Sequence, residues 1–260
     1  MPALPPRPVR HGLARVLSKR GLCSRREAAL WIVAGRVRVD GRMVCDPEHP
    51  TDAAHASIRI DGVAVAAASR VYLALNKPRG LVTTARDEQG RDTVYRCLDG
   101  TQFGWLAPVG RLDRASEGLL LFSNDPAWAA AIASPDTGPD KTYHVQIDRI
   151  PDATLLRRLE TGVPDPDGGA PLRAKSVTLL RAGEKNAWLA VVLDEGRNRQ
   201  IRRLLAAVDI GVLRLIRVAI GPLVLGELAK GAWRELTADE ATALAPLSVS
   251  PSARPARGRP

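Results

Sequence analysis

Residues 110–122 read GRLDRASEGLLLF, and this stretch decides the fold of the larger part of the chain. Gly110 and Gly118 frame a charged loop, which runs directly into the apolar residues 119–122, a composition typical of a buried strand. A polar loop supported by a rigid strand is a common place for a reactive side chain, and Asp113 lies in the middle of this loop. The same pattern also fits a salt-bridged loop that joins two strands and carries no chemistry.

Two further polar stretches stand at the ends of predicted strands. Residues 195–204 read EGRNRQIRRL, between a predicted strand and a predicted helix. Their arginines and backbone amides therefore lie at a helix start, where phosphate or carboxylate binds well. Residues 141–145 read KTYHV, and the alternation of a strand places Lys141, Tyr143 and Val145 on one face.

Short strands and short helices alternate irregularly from residue 71 to residue 236. Apolar runs predict strands at 71–75, 119–122, 143–147 and 188–193, and helical spacing predicts helices at 126–133, 152–160 and 198–207. Because this order lacks the regular strand–helix repeat of a doubly wound sheet, the predicted fold class is α+β.

A smaller unit precedes this region. Apolar residues at helical spacing predict a first helix, and Ser24 with Glu27 three residues later predicts a capping box at the start of a second. Residues 37–39 and 58–62 alternate in the manner of strands and lead into Asp-Gly turns. The sequence therefore predicts a helix–helix–hairpin unit over residues 12–68.

The positive charge of the chain is clustered. Its 260 residues carry 38 Lys+Arg against 28 Asp+Glu, a formal net charge of +10. Residues 12–38 and 195–217 hold arginine-rich clusters with few acids, which favours a phosphate-bearing partner, although a single basic run is more often a solvated helix face. Because aromatic residues are rare in the first cluster, we expect it to contact the RNA backbone rather than stack on bases. The predicted RNA-binding residues are Arg15, Lys19, Arg25, Arg26, Arg36 and Arg38. Residues 1–11 and 247–260 are basic, of low complexity and expected to be disordered.

The composition argues against several other classes. The chain contains no P-loop and no GxGxxG stretch, so nucleotide hydrolysis and dinucleotide redox chemistry are unsupported. Cys23, Cys45 and Cys97 are far apart and the histidines show no metal-ligand spacing, which argues against a zinc site and favours a reducing compartment. The longest uncharged run, residues 241–253, is too short to span a membrane, and the first eleven residues show no signal-peptide pattern. We expect a cytoplasmic protein without a metal or cofactor.

Five stretches, in this order, resemble the motifs of one enzyme family. GLCSRREAALWIVAGRVRVDG (21–41) resembles the core of an S-four-type (alpha-L) RNA-binding domain. The other four resemble the catalytic domain of the ribosomal pseudouridine synthases, namely its opening strand end, its aspartate motif, its Lys-x-Tyr motif and its late arginine-rich motif: NKPRG (76–80), GRLDRASEGLLLFSND (110–125), DKTYHV (140–145) and EGRNRQIRRL (195–204). The resemblance covers residues 12–236.

The resemblance implies a domain order and a reaction. An S-four-type domain over residues 12–68 is expected before a pseudouridine synthase domain over residues 71–240, with a mixed, mainly antiparallel sheet. The reaction isomerises a uridine of ribosomal RNA: the N1–C1′ bond breaks, the base rotates and C5 joins C1′. Nothing is oxidised and no group leaves, so the reaction requires neither cofactor nor metal, but the base must be flipped out of its stack. The implied partner is ribosomal RNA or an assembling subunit, with 23S slightly favoured over 16S. The sequence shows no long coiled coil or apolar stripe that argues for an oligomer, so a monomer is the default.

The resemblance also implies residue roles. Asp113 would be the nucleophile, with attack on the sugar or on the base left open, and Arg197 would be its cationic partner. Tyr143 would stack beneath the uracil and take part in the proton transfer at C5. Arg111 would contact the RNA at the position that the flipped nucleotide has left. Two lesser assignments follow: Lys141 would supply positive charge to the pocket, and Leu204 would supply apolar packing.

Two other functions stay open on the sequence. A non-catalytic RNA-binding or ribosome-assembly factor could use the same scaffold. A metal-dependent nuclease needs several converging acids, and Asp113, Glu117 and Asp125 are close in sequence. The synthase hypothesis requires instead that Asp113, Tyr143 and Arg197 meet in one cleft.

Overall fold

The computed structural model describes residues 10–246. Its helices are Leu13–Lys19 (α1), Arg25–Val33 (α2), Pro126–Ala133 (α3), Ala153–Thr161 (α4), Gln200–Ala206 (α5) and Ala238–Leu244 (α6), with a 3-10 helix at Val94–Leu98. Its strands are Arg10–Gly12 (β1), Val37–Val39 (β2), Arg42–Met43 (β3), Pro50–Asp52 (β4), Ile58–Ile60 (β5), Val63–Ala64 (β6), Tyr72–Lys77 (β7), Ala107–Val109 (β8), Glu117–Ser123 (β9), Lys141–Ile147 (β10), Ser176–Ala182 (β11), Ala187–Leu193 (β12), Val212–Ile220 (β13), Leu223–Val224 (β14) and Trp233–Glu235 (β15). None of the helices in residues 10–246 has the length and apolarity needed to cross a bilayer.

The N-terminal unit contains the predicted two helices and hairpins. The Ser24 side chain accepts a hydrogen bond from the backbone N–H of Glu27 and caps the start of α2. A full capping box also has a hydrogen bond from the Ser24 backbone N–H to the Glu27 side chain, and among the described residues this second bond is not formed. The hairpins turn at residues 40–41 and 61–62, Asp-Gly pairs whose positive φ angles fit type I′ turns. The helices and the four-stranded sheet, of order β3-β2-β5-β6, share one apolar core. Its fully buried members include Leu13, Val16, Leu17, Ile32 and Val37.

The N-terminal boundary of this unit differs from the prediction. The sequence places residues 10 and 11 in a disordered tail, but both belong to β1, which pairs antiparallel with β4. The strand pairing satisfies their backbone polar groups within the fold. The remainder of the two predicted tails, residues 1–9 and 247–260, lies outside the described residues.

A nine-stranded sheet forms the larger unit. Its order is β11-β12-β10-β13-β9-β7-β15, with β8 on β9 and β14 on β13, and all neighbours are antiparallel except β9 and β13. The chain is therefore α+β with a mainly antiparallel sheet, as predicted. Gly118 makes the parallel contact possible: it faces Arg217 with a φ of +100°, and a Cβ at this position would overlap the Arg217 backbone.

Helices cover the sheet at two places. α4 and α5 enclose an apolar core with β10, β11 and β12, in which Val145, Leu159 and Leu189 are fully buried. α3 and α6 pack beside β9, where the indole nitrogen of Trp128 donates to the backbone oxygen of Ala241 at 2.9 Å. The predicted helix at 198–207 begins two residues late, because Arg199 takes a left-handed conformation before α5.

Polar contacts connect the two units. Arg70 donates to the backbone oxygen of Lys19 at 2.7 Å and to that of Asn124 at 3.0 Å. The buried Asn124 amide donates to the backbone oxygen of Ser69 and accepts from the backbone N–H of Val71. The connecting segment is thereby tied both to α1 and to the residues after β9.

Candidate active site

A cavity of about 420 Å³ opens where two loops meet two strands. The loops are residues 110–116, before β9, and residues 195–202, before and within the start of α5; the strands are β10 and β13. Asp113, Tyr143 and Arg197 all line it. Its volume falls in the range of roughly 300–1,000 Å³ that is usual for small-molecule sites.

The loop that carries Asp113 is anchored from below by Lys77. This lysine is fully buried, and its Nζ donates to the backbone oxygens of Asp113 at 3.2 Å, Ser116 at 2.9 Å and Pro78 at 3.1 Å. Burial lowers the pKa of Lys77 to about 8, although Asp113 acts in the opposite direction. The loop therefore has a backbone fixed by the protein and a side chain left available to the cavity.

Two arginines approach the Asp113 carboxylate. Its Oδ2 lies 3.4 Å from Nη1 of Arg199 and 4.0 Å from Nε of Arg202. The Arg202 side chain is 17% exposed and that of Arg199 is 51% exposed, so Arg202 is the better shielded from water. Burial lowers the pKa of Arg202, with Arg199 acting in the same direction and Asp113 against it. Arg199 lies directly before α5 and Arg202 in its first turn, so both guanidinium groups approach the carboxylate from the start of this helix.

Arg197 does not take the place that the sequence predicts for it. Its Nε donates to Oε2 of Glu195 at 3.0 Å, and its Nη1 donates to the backbone oxygen of Ala170 at 2.8 Å. Glu195 pairs with this guanidinium, whereas the next two arginines, Arg199 and Arg202, approach Asp113. The expected Asp113–Arg197 ion pair is therefore replaced by contacts from Arg199 and Arg202.

Tyr143 and Lys141 lie on the wall of the cavity that β10 supplies, on the same strand face. In the sheet, Tyr143 is opposite Val191 of β12 and Arg217 of β13. Lys141 is half-buried; burial lowers its pKa, Arg217 lowers it further and Asp140 opposes them. The strand alternation that the sequence predicts for this pair is the one in the structure.

Of the two other residues predicted for the cavity, Arg111 and Leu204, only Arg111 lines it. Arg111 is exposed on the rim and lines the cavity. Leu204 is buried in the apolar core under α5 and is not among the cavity-lining residues. Leu215 on β13 supplies apolar surface to the wall instead. The packing role that the resemblance implies for Leu204 is therefore not seen at the cavity, although both leucines belong to the same apolar core.

The predicted RNA-binding residues lie mostly on the surface of the N-terminal unit. Arg15, Arg25, Arg26, Arg36 and Arg38 are exposed, and Lys19 is half-buried with its Nζ 3.2 Å from Nε2 of His11. Arg36 is paired with Asp61, and Arg38 donates to the backbone oxygen of Gly41. The guanidinium groups of the other three are the most accessible to a phosphate backbone.

Two of the three acids that a nuclease would require, Glu117 and Asp125, are engaged in other contacts. Glu117 is buried between Arg214 and Lys230, and Asp125 begins α3 and accepts a hydrogen bond from Tyr72. Within residues 10–246 no group of three or more His, Cys, Asp or Glu side chains is arranged to hold a metal ion.

Comparisons with known proteins agree with this architecture. The family model described as RNA pseudouridylate synthase matches residues 71–207, and the S4 domain model matches residues 12–53. An RNA pseudouridine synthase of Mycobacterium tuberculosis (strain ATCC 25618 / H37Rv), named as uncharacterized, is 40% identical over 240 residues, which cover 90% of this chain and 92% of the relative. The ribosomal large subunit pseudouridine synthase B of Bacillus subtilis (strain 168) is 35% identical over 237 residues, covering 91% and 96%. A crystal structure of a pseudouridylate synthase matches with a TM-score of 0.64 and 27% identity, over 91% of this chain and 100% of that one.

The fold and these similarities define an RNA-modifying enzyme that carries an S4-type RNA-binding domain ahead of its catalytic domain. The chain belongs to the RNA pseudouridine synthase family. The predicted enzyme class is thereby confirmed, and the non-catalytic assembly factor is not favoured.

Proposed function

We propose that this pseudouridine synthase isomerises one specific uridine of ribosomal RNA, with 23S RNA favoured over 16S. The name of the Bacillus subtilis relative, which refers to the large ribosomal subunit, supports this choice of substrate. The observation that carries the proposal is the position of Asp113 in the cavity wall, with its backbone fixed by Lys77 and its carboxylate beside Arg199 and Arg202.

Asp113 acts as the nucleophile in this proposal. A carboxylate must be ionised to attack, and two neighbouring guanidinium groups counter its negative charge. The attack is on C1′ of the sugar or on the base, and either route frees the uracil to rotate before C5 bonds to C1′. Proton transfer from C5 completes the reaction, and no redox step or cofactor is involved.

The base lies against Tyr143. The flat ring on β10 offers a stacking surface for a uracil that has left its helix, and unstacking costs a few kcal/mol that such contacts help to offset. Lys141, on the same strand face, adds positive charge at the cavity wall. Arg111 at the rim is placed to contact the RNA beside the vacated position.

The N-terminal domain holds the RNA in place. Arg15, Arg25 and Arg26 are exposed on α1 and α2 and can contact backbone phosphates without reading sequence. The polar contacts of Arg70 and Asn124 set how this surface is oriented relative to the cavity, and this orientation selects the uridine that reaches Asp113.

Mapping of pseudouridine in cells tests the proposal. Carbodiimide labelling followed by reverse transcription is applied to both ribosomal RNAs from cells with and without the gene. We expect one stop, in 23S RNA, to disappear in the deletion and to return with the wild-type gene. A missing stop in 16S or transfer RNA would overturn the choice of 23S, and an unchanged pattern in every RNA would overturn the proposed substrate.

A further inference from the structure

A buried guanidinium with an unused donor lies in the wall of the cavity. Arg217 on β13 is 5% exposed, and its Nε donates to the backbone oxygen of Leu119 at 2.7 Å. Its Nη2 is buried and has no hydrogen-bond partner within the described protein. Buried polar groups are nearly always paired. Because Arg217 also lines the cavity, this unpaired donor is placed near a ligand that enters the cavity.

The sheet fixes this guanidinium in position. Arg217 lies at the parallel junction of β9 and β13, where Gly118 allows the two backbones to approach closely. The nearby carboxylate of Glu117 does not neutralise it, because Glu117 is paired with Arg214 and Lys230. The free donor is therefore preorganised and is not needed for an internal ion pair.

Two other polar groups accompany Arg217. The Ser116 hydroxyl is 1% exposed, lines the same cavity and also has no hydrogen-bond partner within the described protein. Lys141 is half-buried on the same wall. Arg217 and Lys141 are donors without acceptor capacity, so these two groups match carbonyl oxygens and mismatch an amino group, whereas the Ser116 hydroxyl can donate or accept.

We propose that Arg217 donates from Nη2 to the C4 carbonyl of the flipped uracil and so selects uracil over cytosine. Residues that face each other across an antiparallel pair point to the same side of the sheet, and Arg217 is the register partner of Tyr143. A uracil stacked on Tyr143 therefore presents its edge to Arg217. Uracil has carbonyls at C2 and C4, whereas cytosine carries an amino group at C4 that a cationic donor repels. This inference rests on the proposed function.

A chemical double-mutant cycle tests it. Synthetic RNA fragments carry uridine, 2-thiouridine or 4-thiouridine at the position identified by mapping, and single-turnover rates are measured for wild type and Arg217→Met. Sulfur is a weak acceptor, so 4-thiouridine should slow wild type about tenfold or more, whereas 2-thiouridine serves as the control for sulfur at the carbonyl that cytosine shares. We call the ratio of the rate on uridine to the rate on the thio-substituted RNA the thio penalty. In Arg217→Met the rate on uridine should fall, and the thio penalty should shrink to the intrinsic effect of sulfur on the chemistry.

Controls separate recognition from structure. Arg181→Met removes an exposed arginine on β11, outside the cavity lining, and should keep the wild-type thio penalty. Arg217→Lys keeps a positive charge but lacks the two terminal nitrogens of the guanidinium group. Arg217→Lys is used instead of Arg217→Met if circular dichroism shows that Arg217→Met is unfolded. A 4-thio penalty equal to that of wild type in the folded variant, or no 4-thio penalty in wild type, overturns the role of Arg217 alone. Failure of wild type to form pseudouridine in the uridine fragment overturns the proposed function with it.

Discussion

The Nζ of Lys77 donates to the backbone oxygen of Asp113 at 3.2 Å, so a fully buried ammonium holds the loop of the proposed nucleophile from below. Two further bonds, to the backbone oxygens of Ser116 and Pro78, complete its hydrogen bonding. A buried cation is costly, and here three backbone oxygens satisfy its donors and offset part of that cost. The position of Asp113 is thus set through its backbone rather than through its side chain.

This arrangement predicts a pH dependence of stability. Burial lowers the pKa of Lys77 from 10.5 to about 8, so the unfolded chain holds this proton more tightly than the folded protein does. The free-energy cost of the charged lysine is therefore full below about pH 8 and fades as the pH rises towards 10.5. Relative to Lys77→Met, the free energy of unfolding of wild type should increase by roughly 1–3 kcal/mol across this window. Urea titrations of both proteins at several pH values measure the difference, and a difference that does not change with pH would contradict the assignment.

The arginines beside Asp113 should have unequal effects on catalysis. We expect Arg202→Gln to lower the single-turnover rate tenfold or more, because the buried guanidinium is the best-shielded charge near the carboxylate. Arg197→Gln, whose guanidinium is held by Glu195, should cost only a few fold. Single-turnover rates of the two variants on the same RNA fragment measure the difference. A larger loss of rate in Arg197→Gln than in Arg202→Gln would restore Arg197 as the partner of Asp113, as the sequence predicts.

Gly118 should tolerate no side chain. Gly118→Ala places a Cβ against the Arg217 backbone at a positive φ, and we expect the free energy of unfolding to fall by about 3 kcal/mol or more. Gly41→Ala is the matched control, since Gly41 also has a positive φ but nothing lies within 4 Å of its Cβ position. That control should lose only about 1 kcal/mol. Equal losses in thermal or urea unfolding would show that the close strand approach is not what requires glycine.

The N-terminal basic surface should affect RNA affinity and leave the chemical step unchanged. Charge reversal of Arg25 and Arg26 to Glu should raise the KM for RNA about tenfold or more and reduce the slope of log K against log salt by about one for each lost phosphate contact. The rate at saturating RNA should stay near the wild-type value. Arg157→Glu, on the exposed side of α4, serves as the control. A fall in the saturating rate without a change in KM would contradict a pure binding role.

Local patterns predicted most of the elements. The Ser24 cap, the Asp-Gly turns and the face shared by Lys141 and Tyr143 depend on residues close in sequence, and the structure contains all of them. The parallel contact of β9 with β13 joins residues about a hundred positions apart, so no local period reports it, although Gly118 directly before a buried strand marks a close approach.

The charge network of the cavity was harder to predict. Four arginines, at 197, 199, 202 and 203, stand in one motif, and only Arg199 and Arg202 approach Asp113; the chain takes a left-handed φ of 49° at Arg199 between the first and the last two. Spacing alone carries no information on that dihedral angle. Lys77 had a visible signal, a lysine at the end of an apolar strand before proline, whereas Arg217 is one of two arginines on β13 and nothing in the sequence pattern distinguishes it from Arg214.

The most direct test of the account is the reaction of the purified protein with an RNA fragment that contains the mapped uridine. Wild type, Asp113→Asn and Glu184→Gln are compared; Glu184→Gln makes the same carboxylate-to-amide change in the exposed turn between β11 and β12. The account predicts that wild type and Glu184→Gln form pseudouridine at similar rates and that Asp113→Asn binds the RNA with wild-type affinity but forms none. Formation of pseudouridine by Asp113→Asn at a rate near that of wild type would contradict it.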